Sequence, residues 1–263
     1  IKKFFLKKNK IKFINNNLID EIESPKINDN FPFFSLSKKI VGESHISKIN
    51  KISKYLKINN SDYLFVSAPE NVACIINIRG GDSPNSPVPN SRLIIGKDKK
   101  IFFIAKTKKS KKLLKEKIIH SNKLIEISEF SKKILELKGN NFIIDNKSCS
   151  IYFEDIIKSQ FRITRREDPT YLLKAVKNKN KIKNMINAHI FDGAALTKFL
   201  YWIKKVNRKQ INEVQAQNKL ESFRKMNKNY LYPSFDTIAG SGKNGAIVHY
   251  RAKKENCRII RKE

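Results

Sequence analysis

The sequence predicts an α/β fold with helices packed against a sheet, followed by the beginning of a second, α+β domain. Between about residues 36 and 165, helical spacings of apolar residues alternate with short apolar runs typical of buried strands. After Pro169, two helical patterns precede a glycine-rich segment. These observations divide the 263-residue chain into the tail of a preceding domain at 1–35, an α/β domain at 36–165 and an incomplete domain at 168–263.

The α/β domain opens with a helix followed by a strand. Residues 45–56 carry apolar residues at spacings of three and four, which predicts a helix with one buried stripe. The members of that stripe are Ile46, Ile49, Ile52 and Leu56. Residues 63–66 form a short apolar run and are interpreted as a buried strand. Ser67 then resembles an N-cap, and Pro69 suits the first turn of another helix.

The rest of this domain continues the alternation. Apolar runs at 93–95 and 101–104 flank a glycine-containing pentapeptide, a pattern typical of a β-hairpin. Residues 113–119 and 127–137 are predicted helices, and 141–145 is a predicted strand. In the second of these helices the residues expected to share a face are Ile127, Phe130, Ile134 and Leu137.

Residues 165–169 are interpreted as a linker, because their charges resist burial and Pro169 disfavours a helix at Asp168. A long helix follows, with an apolar stripe of Leu196, Phe199, Leu200, Ile203 and Val206. Asn212 and Gln215 have the spacing of a capping box and predict the start of the next helix. The apolar face of that helix continues through Ala216, Leu220 and Phe223.

Residues 232–251 are the most informative part of the chain. Two apolar runs flank a turn rich in glycine, and the second run ends at His249. The pattern predicts a hairpin that holds His249 at a fixed place on a sheet, where an imidazole can meet a ligand. The residues alone favour a structural histidine in the core over a ligand-binding one. The Gly240–Lys243 stretch lacks the spacing and the Ser or Thr of a phosphate-binding P-loop.

The remaining candidates for chemistry are weaker. His45, His120 and His189 have no partners at metal-binding spacing, although His189 and Asp192 form an i, i+3 pair for which a hydrogen bond on the helix surface is favoured over a metal. The three cysteines, Cys74, Cys149 and Cys257, are far apart in the sequence. Without paired spacing they indicate small buried residues in a reducing compartment.

Residues 77–89 form a second unusual segment, with Arg79 and Asp82 on either side of two glycines and three prolines after them. We expect Arg79 to pair with Asp82 and the prolines to stiffen the segment. It is interpreted as a rigid surface loop or as a rim that projects toward a neighbouring domain or subunit.

The net charge of +31 has two interpretations. A basic chain suits a nucleic-acid or anionic-membrane partner. Here, however, lysine is spread through every segment together with abundant Ile and Asn, which favours a compositional bias from A/T-rich codons over a phosphate-binding face. No apolar run approaches the roughly 18 residues that a membrane span needs. Residues 1–13 lack the pattern of a signal peptide, and the chain is expected to be an interior or truncated piece.

Three segments resemble the long, three-domain Xaa-Pro aminopeptidases (aminopeptidase P) of the creatinase/methionine aminopeptidase superfamily. Residues 72–90 are similar to the signature of the middle domain, 174–200 to the opening helix of the catalytic domain, and 233–250 to its early hairpin. The resemblance implies a creatinase-type middle domain with a mixed sheet at 36–165, the tail of a creatinase-like domain before it, and the start of a pita-bread catalytic domain after it.

The same resemblance implies a cytoplasmic metallopeptidase that removes an N-terminal residue followed by proline. It uses two divalent metal ions, usually manganese, and often forms a homodimer; no specific nucleic acid or membrane is implied. His249 matches the family's active-site histidine, which binds substrate and stabilises the transition state without binding metal. The family's ligands, two Asp, one His and two Glu, all fall beyond residue 263, so this chain is expected to be inactive alone.

This sequence departs from the family pattern at Cys74, where Trp is usual, at Lys243, where Pro is usual, and at Cys257, where Asn is usual. The departure at Cys74 is expected to loosen the packing of the middle domain. Two alternatives stay open: a non-catalytic basic module that binds nucleic acid, and a pseudo-peptidase whose metal ligands have been lost.

Overall fold

A six-stranded mixed sheet forms the centre of the first half of the protein, in a computed structural model that describes residues 18–22, 31–206 and 211–261. The strands, numbered in chain order, are Phe34–Ser35 (β1), Tyr63–Val66 (β2), Ile78–Arg79 (β3), Arg92–Gly96 (β4), Ile101–Ile104 (β5), Leu124–Ile125 (β6), Asn141–Ile144 (β7) and Arg162–Arg165 (β8). The sheet order is β6-β5-β4-β2-β7-β8, and β1 pairs separately with β3.

Both kinds of strand pairing occur in this sheet. The β4 strand runs antiparallel to β2 and to β5, whereas β7 lies parallel to β2 and to β8, and β6 lies parallel to β5. The predicted hairpin at 93–104 is confirmed as the β4–β5 pair, with Leu93 opposite Phe103. Helices connect the parallel strands, as parallel pairing requires. The α/β prediction with a mixed sheet is therefore confirmed.

The helices lie on both faces of the sheet and continue beyond it. Their bounds in chain order are Leu18–Ile22 (α1), Lys38–Val41 (α2), His45–Ile58 (α3), Pro69–Ile75 (α4), Thr107–Lys115 (α5), Phe130–Glu136 (α6), Ile151–Lys158 (α7), Thr170–Ala175 (α8), Lys179–Val206 (α9) and Glu213–Arg224 (α10). Among the described helices, none combines the length and apolar character needed to cross a membrane.

Each face of the sheet carries its own apolar cluster, because successive side chains of a strand point to opposite faces. On β2, Leu64 and Val66 belong to one cluster and Phe65 to the other. The first cluster packs against α3 through Ile52 and Leu56, both fully buried. The second packs against α6 and α7 and is rich in aromatic rings, namely Phe65, Phe102, Phe130, Phe142, Phe153 and Phe161.

Two of the predicted helices differ from the structure in detail. Ile46 of α3 is 61% exposed and does not belong to the buried stripe. Ile52 is six positions further along the helix, which places the two side chains about 120° apart around the axis. The α4 helix begins at Pro69 as expected, but its N-cap is Ala68. The prediction that Ser67 is the cap is wrong, because its hydroxyl lies 2.7 Å from that of Ser148 on the adjacent loop.

The predicted helix at 113–119 is also displaced, since α5 ends at Lys115. Lys117 adopts a left-handed backbone conformation with φ of 56°. The amides of Lys117 and Ile118 donate back to the carbonyls of Leu114 and Leu113 at 3.1 and 2.9 Å. This is the hydrogen-bond pattern of a Schellman motif, which ends a helix while keeping the following apolar residue against the core.

Within the segment at 165–169, Arg165, Arg166 and Glu167 are exposed as expected, whereas Asp168 is only 2% exposed. Its carboxylate accepts hydrogen bonds from the amide of Thr170 and from Nδ2 of Asn71, both at 2.8 Å, and its own amide donates to Asp145 at 3.0 Å. Burial raises the pKa of Asp168, and the charge of Asp145 adds to the rise. Buried partners, which no local pattern reveals, explain why the expected exposure of Asp168 is wrong.

Three asparagines at the start of α9 fix it to the first domain. The side-chain amides of Asn178, Asn180 and Asn184 donate to the carbonyls of Val41, Lys39 and Ile40, each at 2.9 Å. These carbonyls belong to the last turn of α2, where helix carbonyls lack partners within the helix. The junction between the two halves is therefore a set of specific hydrogen bonds.

The two helices predicted after this junction are confirmed as α9 and α10. Asn212 and Gln215 form the predicted capping box, with both reciprocal hydrogen bonds at 2.9 Å. The predicted apolar stripe of α9 is not covered, since Leu196 and Leu200 are 41% and 48% exposed. Past Arg165, the part of the chain that the structure describes contains helices and an isolated Asn212–Ile259 bridge, but no strand.

Candidate functional site

The segment that contains His249 does not form the predicted hairpin. Within its described residues, a 3-10 helix at Gly242–Ala246 is the regular element, and the flanking apolar runs are irregular. Phe235 is 63% exposed and Val248 is 82% exposed. A two-stranded hairpin is marginal in water without a surface to pack on. Because no described strand lies beside this segment, the expected pairing is absent and the hairpin prediction is wrong.

Glu213 holds this segment in place. Its side chain is fully buried at the first position of α10. The carboxylate accepts hydrogen bonds from the hydroxyl of Tyr250 at 2.7 Å, from the amides of Ser241 and Arg258 at 2.5 and 3.0 Å, and from Nδ2 of Asn244 at 3.0 Å. One carboxylate therefore gathers residues 241–258 around the start of a helix, where a negative charge is favoured. We call these five residues the Glu213 cluster.

The protonation states of the cluster suit its hydrogen bonds. Burial acts to raise the pKa of Glu213, but the hydrogen bonds from Tyr250, Arg258, Ser241 and Asn244 outweigh it and hold the pKa below its usual value. Burial and the hydrogen bond to Glu213 raise the pKa of Tyr250 to about 12. At neutral pH, Glu213 is therefore an acceptor and Tyr250 a donor.

His249 lies next to the buried Tyr250 and is itself exposed. Its backbone has φ of 55°, a left-handed conformation in a turn. This conformation is uncommon outside glycine but enriched for His, Asn and Asp. The structural core histidine favoured by the residues alone is thus wrong. Tyr250 is anchored inward, and His249 is presented to solvent on the adjacent turn.

The proline-rich segment at 77–89 reaches the same part of the molecule. Asn85 Nδ2 donates to Asp236 Oδ1 at 3.1 Å, and Asp236 Oδ2 pairs with Arg251 at 2.6 Å. Asp236 therefore bridges the first domain to a residue two positions after His249. This contact favours the interpretation of the segment as a rim toward a neighbouring domain.

The expected Arg79–Asp82 pair within this segment is wrong. Arg79 Nη1 donates to the carbonyls of Ala73 and Ile78 at 3.3 and 2.8 Å. Asp82 instead pairs with Lys109, whose side chain is 4% exposed, and accepts from the amide of Asn90 at 2.6 Å. The nearly buried carboxylate of Asp82 is stabilised more by the ammonium group of Lys109, which is shielded from water, than it would be by Arg79 across an open bend. The spacing of the sequence does not predict this pair, because Lys109 lies 27 residues from Asp82 in the chain and meets it only in the folded protein.

The other sequence candidates do not form a reactive site. His189 Nδ1 lies 2.8 Å from the carbonyl of Met185, and Asp192 pairs with Arg224 of α10 at 2.6 Å. The three cysteines are free and half-buried, and burial raises the pKa of Cys149 to about 12. Across residues 18–22, 31–206 and 211–261, no group of three or more His, Cys, Asp or Glu side chains could hold a metal ion.

Sequence reasoning missed Glu213 and Asp168. Each is an acidic residue near the start of a helix, where a contact with the helix dipole is enough to account for it. The long-range partners of Glu213, 28 to 45 residues away, leave no mark in the spacing of the sequence. Only burial identifies these carboxylates as structural centres.

Comparison with known proteins divides the chain into two matched parts. Residues 23–181 match the family described as the creatinase/prolidase N-terminal domain, and residues 183–263 match metallopeptidase family M24. The change from one family to the other falls in the first turn of α9, beside the asparagine contacts with α2.

Curated relatives are similar over most of this chain. Xaa-Pro aminopeptidase ApepP of Drosophila melanogaster is 34% identical over 261 residues, which cover 94% of this chain and 41% of that protein. A probable Xaa-Pro aminopeptidase P of Laccaria bicolor is 30% identical over 272 residues, which cover 98% of this chain and 41% of that protein. The chain thus spans about two fifths of the length of these relatives.

Solved structures share the fold. An X-prolyl aminopeptidase of Caenorhabditis elegans, described as a cytosolic enzyme with a di-nuclear active site, superposes with a TM-score of 0.82 at 23% identity over 94% of this chain and 42% of that one. An Xaa-Pro dipeptidase of Bacillus anthracis superposes with a TM-score of 0.60 at 19% identity over 83% of this chain and 58% of that one. At these identities the likeness concerns the fold alone.

Proposed function

The chain belongs to the creatinase/prolidase N-terminal domain family and continues into a segment of metallopeptidase family M24, and on this basis we propose that it is part of an Xaa-Pro aminopeptidase. The proposed reaction is hydrolysis of the peptide bond that joins an N-terminal residue to a following proline. The observation that carries the proposal is the similarity to an Xaa-Pro aminopeptidase at 34% identity across 94% of this chain.

The proposal also assigns parts of the chain to domains. Residues 1–35 are assigned to the tail of a preceding creatinase-like domain, 36–165 to the middle domain and 168–263 to the beginning of the catalytic domain. The α/β domain around the six-stranded sheet supports the second assignment, and the M24 match supports the third. We further propose a cytoplasmic location, supported by three free cysteines, and a homodimer.

Two divalent metal ions, with manganese as the expected element, are proposed for the complete enzyme. Membership of family M24 supports metal dependence. The described residues of this chain do not fit such a centre, since they contain no cluster of three or more ligating side chains. The ligands are therefore assigned to residues outside the described ranges, and the described residues are given a role in substrate binding.

His249 is proposed to bind the substrate and to stabilise the transition state. Its imidazole is exposed, and the neighbouring Tyr250 is fixed through the Glu213 cluster. A positioned imidazole can hydrogen-bond a peptide carbonyl and strengthen that bond as negative charge develops on the oxygen. The amide before proline carries no N–H, so recognition of the scissile bond depends on its carbonyl and on the shape of the ring.

The proposal is tested with the full-length protein and two matched tripeptides, one with proline and one with alanine in the second position. Release of the N-terminal residue is expected from the proline peptide and not from the alanine peptide. This release is expected to stop when a chelator removes the metal. Equal cleavage of both peptides, or cleavage unaffected by the chelator, contradicts it. Residues 1–263 by themselves are expected neither to bind manganese stoichiometrically nor to cleave the peptide.

A further inference from the structure

A cavity of about 450 Å³ lies between the first turns of α9 and the first domain. Its apolar wall includes Val41, Ala73, Val88 and Met185, which come from α2, α4, the proline-rich segment and α9. The volume falls in the range of roughly 300–1,000 Å³ found for small-molecule sites. Neither the proposed aminopeptidase reaction nor the Glu213 cluster uses this cavity.

The polar wall of the cavity is strongly cationic. Five basic side chains line it against a single carboxylate, that of Glu70. The basic residues are Lys48, Arg79, Lys174, Lys177 and Lys181. Nζ of Lys174 lies 4.0 Å from the carboxylate of Glu70, so the one negative charge of the wall is paired with Lys174. The rest of the wall has an excess of positive charge.

Three of these cations, Lys48, Arg79 and Lys181, form no ion pair with a carboxylate of the described residues. Lys48 is only 5% exposed, and its Nζ donates to the carbonyl of Cys74 and to Oδ1 of Asn77 at 2.6 and 2.5 Å, both neutral acceptors. The half-buried Arg79 donates from Nη1 to two backbone carbonyls. Within the described ranges, neither Arg79 nor Lys181 forms an ion pair with a carboxylate.

The three charges are close enough to influence one another. Burial lowers the pKa of Lys48, and the positive charges of Lys181 and Arg79 act in the same direction, while Cys74 and the carboxylate of Glu43 oppose them without reversing the shift. Burial likewise lowers the pKa of Arg79. Cations that are removed from water and not paired are costly, and an anion placed among them removes that cost. This arrangement differs from the exposed lysines that the composition spreads over the rest of the surface.

We propose that this cavity binds a small amphipathic oxyanion, with the carboxylate or phosphate group held by Lys48, Arg79 and Lys181 and a short apolar chain against Val41 and Met185. The guanidinium of Arg79 can offer its remaining N–H groups to two oxygens of one anion, which is the geometry in which arginine binds carboxylate and phosphate most strongly. The two ammonium groups add charge. The apolar wall selects ligands with a hydrocarbon body.

Calorimetric titration of the full-length protein tests the site. The probes are octanoate, octyl phosphate, inorganic phosphate and, as a control for the head group, octylamine. Octanoate or octyl phosphate is expected to bind saturably and more tightly than inorganic phosphate, and the tighter of the two identifies the head group. Octylamine is expected not to bind, because it adds a positive charge to a cationic site.

Variants locate the binding. Arg79→Gln and Lys181→Gln are each expected to weaken the tighter probe by about tenfold or more, as expected for loss of a charge-assisted contact. Lys132→Gln, an exposed lysine outside the cavity, is the matched control and is expected to leave binding unchanged. Met185→Gln is expected to weaken octanoate and leave inorganic phosphate unaffected.

Lys181 is half-buried on α9 and, among the described contacts, its ammonium group lacks the backbone hydrogen bonds that Arg79 makes, so its variant is expected to fold even if substitution of Arg79 disturbs the domain. Absence of saturable binding by all three anions overturns the proposal. So does equal binding of octylamine and octanoate, or an equal loss of affinity in Lys132→Gln and Lys181→Gln. All of these outcomes are measured by binding, so they are independent of whether the protein cleaves Xaa-Pro peptides.

Discussion

The hydroxyl of Tyr250 donates to the buried carboxylate of Glu213 at 2.7 Å. The bond joins residues 37 positions apart, and so it ties the neighbour of His249 to the start of α10. The exposed imidazole of His249 therefore lies on a turn whose next residue, Tyr250, is held in place by this hydrogen bond. The position of His249 is a property of this cluster and not of a β-hairpin.

Replacing Glu213 by Gln is expected to loosen residues 241–258. The amide side chain offers a single oxygen to the donors that now share two carboxylate oxygens, so at least one charge-assisted hydrogen bond is lost. Backbone amides of Ser241 and Arg258 are expected to exchange with deuterium about tenfold faster or more. Glu221→Gln is the control, because Glu221 lies on the same helix and pairs with Lys225, outside the Glu213 cluster. Equal exchange in both variants contradicts the anchoring role.

The same cluster is expected to respond to acid. The folded-state pKa of Glu213 lies below the usual value of 4.5, so its stabilising effect is fully present above pH 4.5 and is lost as the pH falls through the lower, folded-state pKa. The amide NMR resonance of Arg258 is expected to shift over that acidic range. In Glu213→Gln this titration should be missing; its persistence would assign the effect to another group.

His249→Ala in the full-length protein is expected to reduce turnover of an Xaa-Pro peptide on the order of 10²-fold, as for loss of a hydrogen bond that strengthens in the transition state. The fold is expected to be kept, because the imidazole is exposed, at a cost of about 1 kcal/mol for alanine in the left-handed conformation of this turn. Lys243→Ala is the control, since Lys243 is exposed on the same segment. A near-normal rate for His249→Ala removes His249 from the active site.

Two glycines offer a matched test of packing. A methyl group added at Gly80 would lie 2.8 Å from Cα of Pro89 and 2.9 Å from the ring of Phe33, so Gly80→Ala is expected to lower the free energy of unfolding by about 1–3 kcal/mol. Gly193 lies within α9 with nothing within 4 Å of such a methyl group. Gly193→Ala is expected to raise the free energy of unfolding by up to about 1 kcal/mol. Urea denaturation measures both, and a stabilising Gly80→Ala would contradict the close approach.

Asp168→Ala is expected to destabilise the junction between the two halves. It removes the acceptor for Asn71 Nδ2 and for the Thr170 amide, both buried, at a cost of about 1–3 kcal/mol in the free energy of unfolding. Asp236→Ala, which removes a solvent-exposed ion pair with Arg251 and one hydrogen bond from Asn85, serves as the comparison and is expected to cost less than about 1 kcal/mol. Equal losses in urea denaturation would mean that burial of Asp168 contributes nothing.

Local patterns in the sequence predicted much of the first domain. The β4–β5 hairpin, the α3 helix and the Asn212–Gln215 capping box depend on residues within one turn or one helix, so their spacing is sufficient to indicate them. Errors arose where a neighbour in space changed the outcome, as at Ser67, which bonds Ser148 instead of capping a helix.

By itself, the sequence determined the alternation of helices and strands, the family resemblance and the candidacy of His249, because these follow from residue type and short spacing. The tertiary structure alone decided that Asp168 is buried, that Arg79 and Asp82 have different partners, and that Glu213 fixes the segment beside His249. The physical reason is the same in each case. A buried charge takes the partner that shields it from water, and that partner lies far away in the sequence.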